Sequence, residues 1–206
     1  MVDLFNYTRR ASSVAHIGAL DLGGDNPIRI QSMTTTNTND TEACVRQAEE
    51  IIKAGGELVR FTTQGSREAE NMKNINAGIR ADGYQTPLVA DVHFNPNVAD
   101  VAALYCEKVR VNPGNYVDPA RKFIKQEYTD EEYAHELQKI EERFVPFLNI
   151  CKEHHTAIRI GVNHGSLSDR IRNRYGDTPE GIVESCLEFL RICKKENFHD
   201  VVISIK

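Results

Sequence analysis

Short apolar stretches alternate with helix-patterned ones along almost the whole chain, and that alternation limits the fold to a few architectures. Strands are expected at Pro27–Met33, Glu57–Thr63, Pro87–Phe94, Lys108–Asn112, Ala157–Asn163 and Val201–Lys206. Between the first two, Asn39 or Asp40 caps a helix, Val45, Ala48 and Ile52 form its apolar stripe, and Gly55-Gly56 ends it. Ser66–Ile79, Pro96–Cys106 and Pro179–Lys195 carry the same signature. Repeated βα units of this kind imply a parallel sheet.

Six units fit either a doubly wound open sheet or part of a barrel. No glycine-rich phosphate fingerprint follows the first strand, which disfavours the doubly wound form. The last stretch, "VVISIK", is a strand without a following helix. The expected fold is therefore α/β, a TIM (β/α)8-type barrel truncated after about six βα units, since the full fold takes roughly 250 residues. Residues 1–206 are read as one barrel domain that is incomplete. The Asn115–Thr156 connection is long for a βα link, and its charged, amphipathic "TDEEYAHELQKIEERFVPFLNICKEHH" predicts one or two helices.

Composition excludes some classes of function. The net charge of −5 argues against non-specific nucleic-acid binding, although it leaves room for a local cationic pocket. No apolar run reaches the roughly 18 residues of a membrane span, and the N-terminus lacks a secretory pattern, so a cytoplasmic location is the default expectation. Five cysteines (Cys44, Cys106, Cys151, Cys186, Cys193) form no Cys-x-x-Cys pair and read as small packing residues. None is assigned as a metal ligand.

A recurrent arginine carries the functional signal. Arg60 sits in "LVRF", Arg110 in "KVRV" and Arg159 in "AIRI", each between apolar neighbours shortly before the strand ends. The side-chain period of a strand is two. Arg60 with Thr62, Asp91 with His93, Arg110 with Asn112, Arg159 with Gly161 and Asn163, and Ser204 with Lys206 therefore share one face. The other face is apolar and suits packing under helices. In a barrel the polar face is the lumen at the C-terminal mouth, where barrel enzymes keep their active sites. Arg60, Arg110, Arg159 and Lys206 would meet there opposite the single carboxylate of Asp91. Such a cluster repels itself unless an anion fills it, and the guanidinium fork suits phosphate. Structural pairing with neighbouring acids is the competing reading, and Arg29, earlier in its strand, is assigned to it. Asp91 and His93 fit a metal-ligand pair, a proton-transfer pair or a plain hydrogen-bonded pair. Asn112 in "VNPGN", and Asn163 and His164 in "VNHG", fit either turn-formers or ligand donors.

"QSMTTT", "PLVADVHF", "VRVNPGN", "IRIGVNHGSL" and "SIK", in that order from about Arg9 onward, resemble the N-terminal barrel of the 4-hydroxy-3-methylbut-2-enyl diphosphate synthases. These are iron–sulfur enzymes of non-mevalonate isoprenoid biosynthesis. The resemblance implies that the substrate is 2-C-methyl-D-erythritol 2,4-cyclodiphosphate. A 4Fe-4S cluster would supply two electrons, drawn from ferredoxin or flavodoxin, to open its ring and expel a hydroxyl. It further implies that Arg60, Arg110, Arg159, Asn163 and Lys206 hold the diphosphate, and that Asp91 and His93 lie beside the substrate's polar groups. The family's cluster cysteines belong to a separate C-terminal domain, and none of the five cysteines here has matching context. The long connection resembles the long form of the enzyme. The last two strands, any inserted domain and the cluster domain are then expected to lie outside this chain, leaving it inactive alone. A homodimer stays open. The alternatives are a pterin-binding barrel related to dihydropteroate synthase and a non-catalytic binding module.

Overall fold

The computed structural model describes residues 10–118 and 127–206. Residues 119–126 of the long connection, and the start of the resemblance at Arg9, lie outside them. The chain opens with an antiparallel hairpin, β1 (Val14–Ile17) and β2 (Leu20–Gly23), which the strand expectations do not include. Six parallel strands then follow in sequential order: β3 (Gln31–Met33), β4 (Leu58–Thr63), β5 (Leu88–Val92), β6 (Lys108–Val111), β7 (Ala157–Val162) and β8 (Val201–Ile205). The helices are α1 (Thr41–Lys53), α2 (Ser66–Ala81), α3 (Pro96–Ala103), α4 (Asp130–His154), α5 (Asp169–Tyr175) and α6 (Pro179–Lys195). Neighbouring strands pair only with their sequence neighbours, as in a barrel wall, and no pairing joins β8 to β3 among the described residues.

Local chemistry explains the boundaries. Asp40 caps α1 through its carboxylate, which accepts from Ala43 N at 3.0 Å. Gly55, at φ 97°, then turns the chain in a conformation that side chains disfavour. Thr129 and Glu132 form a capping box at the start of α4, a single helix of 25 residues, within the expected one or two. β3 is shorter than the expected Pro27–Met33. Ile30 N donates to the Glu57 carboxylate at 2.8 Å, so a side chain takes the place of the ladder there, and Pro27 has no N–H to offer. Arg29 donates to Glu57 at 2.9 Å and to the Asp21 carbonyl at 2.9 Å, the structural role expected of it.

Strand parity sorts the core in two. Val59 and Phe61, Ala90 and Val92, Val109 and Val111, and Ile158, Ile160 and Val162 pack outward into one large cluster with the helices. Leu58, Val89 and Ala157 point the other way and pack with Ile17, with Leu20, Leu22 and Val202 around them. The hairpin thus plugs the N-terminal end of the half-barrel and gives its lumen a dry floor. All five cysteines are buried, and burial pushes the thiols of Cys106, Cys151, Cys186 and Cys193 up, the last to about 12.

The apolar side of β8 departs from expectation. Ile203 and Ile205 are each 53% exposed, because α6 lies against β7 and no helix covers this face among the described residues. A groove of about 780 Å³ between hairpin and α6 is lined by Ala15, Leu22, Leu187, Leu190, Phe198 and Ile203. Ile28 and Ile30 are similarly exposed beside the opposite edge strand.

Beyond the mouth, Arg170 of α5 is held by two buried carboxylates. It donates to both oxygens of Glu188 at 2.8 Å, and to Asp118 at 3.0 and 3.3 Å. Tyr133 of α4 donates to Glu188 at 2.5 Å, and its ring lies 4.8 Å from the guanidinium carbon. Three helices and the Asp118 segment meet at this one cation. Removing one partner of a buried pair strands the other. Arg170→Ala is therefore expected to lower unfolding free energy by about 3–5 kcal/mol. The drop in urea midpoint at unchanged slope measures it. Ile17→Ala, which empties the floor of the lumen, should lower it by about 2–5 kcal/mol in the same assay.

Candidate functional site

The lumen side of the sheet is built around one carboxylate. Asp91, 3% exposed, receives Arg60 Nη2 at 2.8 Å, Arg110 Nη1 at 3.3 Å and His93 Nε2 at 3.3 Å. Burial works against its ionisation. The His93 hydrogen bond and the Arg110 and Arg60 charges outweigh that and hold the carboxyl below the ordinary carboxylate range. Parity thus brings Arg60, Asp91, His93 and Arg110 together as expected.

Arg159 joins the same face with no carboxylate of its own among the described residues, its Nε donating to Ser204 Oγ at 2.9 Å. Burial, then the charges of Arg60 and Arg110, push its guanidinium down from its usual value. Arg110 is likewise lowered by burial first, with Asp91 pulling it back up and Arg60 adding to the fall. Arg60 Nε is buried and has no hydrogen-bond partner among the described residues. These directions have one cause: positive charge outnumbers negative charge in a partly desolvated space.

Glycine makes room for this arrangement. Arg110 Nη2 donates to the Gly161 carbonyl at 2.8 Å, and a Cβ on Gly161 would stand 2.3 Å from Arg110 Nε. Any side chain there drives the guanidinium off the β7 backbone.

The two asparagines sit at the mouth as turn caps. Asn112 Oδ1 accepts from Gly114 N at 3.2 Å, and Asn163 Oδ1 accepts from Gly165 N at 3.0 Å, each opening a short 3-10 turn (Pro113–Asn115 and His164–Ser166). The turns touch: Asn112 Nδ2 donates to Ser166 Oγ at 2.8 Å, and a Cβ on Gly114 would fall 1.8 Å from the Ser166 carbonyl. Asn112 is 6% exposed and committed to this joint. His164 turns instead toward Asp177, at 2.5 Å. Lys206 has an exposed side chain; its backbone pairs with Val162 and His164 at 3.1 and 2.8 Å, and no side-chain contact ties it to the arginine cluster among the described residues.

One lumen cation was not among the expected site residues. Lys108 shares the face of Arg110 and Asn112, one step deeper, and is 2% exposed. Its Nζ donates to Gln31 Oε1 at 3.0 Å. The period-two rule that placed Arg110 also places Lys108, but at the start of a strand a lysine reads as a solvated flank.

Among the described residues, no group of three or more His, Cys, Asp or Glu side chains is gathered to hold a metal. The five cysteines are buried with protonated thiols, only Cys186 and Cys193 share an element (α6), and no cluster of metal-ligating side chains gathers them among the described residues, so this donor set does not fit a 4Fe-4S cluster. What the lumen offers chemically is a set of forked cationic donors of the kind that suit an anion, beside one buried carboxylate and an imidazole. Gly161→Ala should weaken anion binding about tenfold or more, by displacing one charge-assisted donor contributing about 1.5–3 kcal/mol. Equilibrium dialysis with inorganic pyrophosphate, alongside a crystal structure locating Arg110, checks it.

Comparison with known proteins identifies the family. The model of the GcpE TIM-barrel domain matches residues 12–206. A 4-hydroxy-3-methylbut-2-en-1-yl diphosphate synthase (flavodoxin) of Phocaeicola vulgatus is 76% identical over 205 residues, covering 100% of this chain and 33% of the relative. The synthase of the same name from Akkermansia muciniphila is 51% identical over 98% of this chain and 34% of its own length. The chain thus spans about a third of the curated relatives it matches. Among solved structures, a truncated 3-deoxy-D-arabino-heptulosonate 7-phosphate synthase from Thermotoga maritima shares the fold, with a TM-score of 0.57 at 10% identity over 94% of this chain and 56% of that one. On the match across residues 12–206, the chain belongs to the GcpE TIM-barrel domain family.

Proposed function

We propose that this chain is the substrate-binding barrel of a reductase that converts 2-C-methyl-D-erythritol 2,4-cyclodiphosphate to (E)-4-hydroxy-3-methylbut-2-enyl diphosphate. The observation that carries this reading is the cation excess around Asp91: Arg60, Arg110 and Arg159 converge in the lumen, and one carboxylate faces them. A cyclic diphosphate supplies the missing negative charge in a form that forked donors bind well. Arg60, Arg110 and Arg159 grip the diphosphate; Lys206 and Asn163 close on it from the ends of β8 and β7. Asn112 fixes the mouth turn from which backbone N–H groups reach it. Asp91 keeps the two arginines aimed and, with His93, stands at the substrate's hydroxyls to hold or move a proton. The names of the relatives support flavodoxin as electron donor, with ferredoxin as the alternative. A 4Fe-4S cluster, held by cysteines outside this chain, would supply the electrons, and no step of that chemistry is assigned to residues described here. The rest of the barrel, and the cluster domain beyond it, would cover the exposed edges at Ile28, Ile30, Ile203 and Ile205. Family membership favours this reading over a pterin-binding barrel.

Calorimetric titration of the intact gene product with the cyclodiphosphate tests it. Affinity should fall steeply with salt, and Arg159→Ala should weaken binding by about tenfold to a hundredfold, the loss of one charge-assisted contact. Salt-independent binding, or an unchanged Arg159→Ala, contradicts the reading. Anaerobically purified intact protein should be brown and reduce the cyclodiphosphate, whereas a colourless protein after cluster reconstitution counts against the reductase assignment.

A further inference from the structure

Lys108 is a buried charge with an uncharged partner. Its Nζ meets Gln31 Oε1 at 3.0 Å, and no ion pair joins it to a carboxylate among the described residues. Below it lies the apolar plug of Ile17, Leu58, Val89 and Ala157. On the neighbouring strands, Val89 and Ala157 stand level with it, and the next lumen positions up are Asp91 and Arg159. β4 contributes Arg60, and β3 the neutral Gln31. Asp91 is already engaged by Arg60, Arg110 and His93. A desolvated ammonium with like charges above it is costly to keep. Burial first, then Arg159 and Arg60, bring its pKa down to about 8.

We propose that Lys108 is a positioning residue for the anion, which from the floor of the lumen takes up a proton as the anion enters and supplies the site's deepest positive charge. The proposal rests on the reading that a diphosphate occupies the cluster above it. The sign follows from the surroundings. In the free protein, the ammonium is present below about pH 8 and is lost as the pH rises through it. An anion above Lys108 offsets the charges of Arg60 and Arg159, the ammonium becomes favourable, and its proton is retained to higher pH. At neutral pH the lysine is already largely charged and binding moves little proton; above pH 8 it moves much more. Lys108 is too deep to serve as a flexible surface contact, so it acts through its field and through Gln31, which it holds against the floor.

The test is calorimetric titration of the oxidised intact protein with 2-C-methyl-D-erythritol 2,4-cyclodiphosphate at pH 8.5, without reductant, in two buffers of different ionisation enthalpy. The phosphodiester-type groups of this ligand do not titrate near that pH, so a buffer-dependent heat reports protons moving on the protein. Wild type should take up roughly half to three-quarters of a proton per ligand at pH 8.5, and far less at pH 7. Lys108→Met keeps the volume, removes the buried charge, and should bind more weakly with the uptake abolished. Gln31→Glu gives Lys108 a carboxylate that keeps it charged before the ligand arrives; binding should persist while uptake disappears. This second variant decides the matter if Lys108→Met does not fold. A lysine serving only to pack the floor would leave no proton signal to lose. Binding without uptake in wild type, or uptake that persists in either variant, overturns the role of Lys108 while leaving the substrate reading intact. Failure of wild type to bind the cyclodiphosphate overturns the substrate reading, and the role of Lys108 with it.

Discussion

The Asp91 carboxylate sets the terms for the whole lumen, because it is the acid on which Arg60, Arg110 and His93 converge. Three side chains from neighbouring strands and their ends are aimed by it, and none has another acidic partner among the described residues. Its ionisation survives burial only because the His93 hydrogen bond and the charges of Arg110 and Arg60 offset it. The arginines in turn keep a fixed geometry because one carboxylate holds two of them and Gly161 leaves space for the second. The neighbourhood therefore stays positive after every internal pairing has been made.

The contrast with Arg170 shows that this imbalance is a property of the place. Arg170 is as buried as Asp91, and two carboxylates and a tyrosine surround it. Its guanidinium is held above its usual pKa, whereas those of Arg110 and Arg159 are held below theirs. The same residue type is over-compensated where it joins α4, α5 and α6, and under-compensated where the strands open into the lumen. A fold that can supply two acids to one arginine outside the barrel has not done so inside it. That difference separates a fully compensated ion pair from a cluster left with excess positive charge.

Much of this is legible in the sequence because strand periodicity is strict. Arg60, Arg110 and Arg159 each stand between apolar neighbours, so one assumption, that the apolar side faces helices, fixes all three. Pro179–Lys195 is legible to the residue because Thr178, Pro179 and the helical stripe agree. The hairpin is not, because Val14–Ile17 and Leu20–Gly23 are short and mix polar with apolar residues. Its reason for existing, to cover Leu58 and Val89, lies far away in sequence. α5 escapes too, because a seven-residue helix that places one arginine between two distant acids carries little apolar pattern. Asn112 and Asn163 head matching Val-Asn-x-Gly turns, but that those turns lock together through Ser166 depends on the spacing of β6 and β7 in the sheet.

The plug and the site are less separate than their positions at opposite ends of the lumen imply. Ile17 is an apolar side chain that packs on Leu58, Val89 and Ala157. Yet it keeps water from the floor on which Lys108 stands, and the strength of every interaction among Lys108, Arg60, Arg159 and Asp91 depends on how dry that floor is. Were the hairpin to loosen, water would solvate Lys108, restore its ordinary affinity for protons, and screen the arginines from one another. The lumen would then hold the same residues with a weaker preference for an anion. A hairpin with no chemistry of its own thus sets the dielectric in which the chemistry-bearing side chains act, and the site extends through the full depth of the barrel wall.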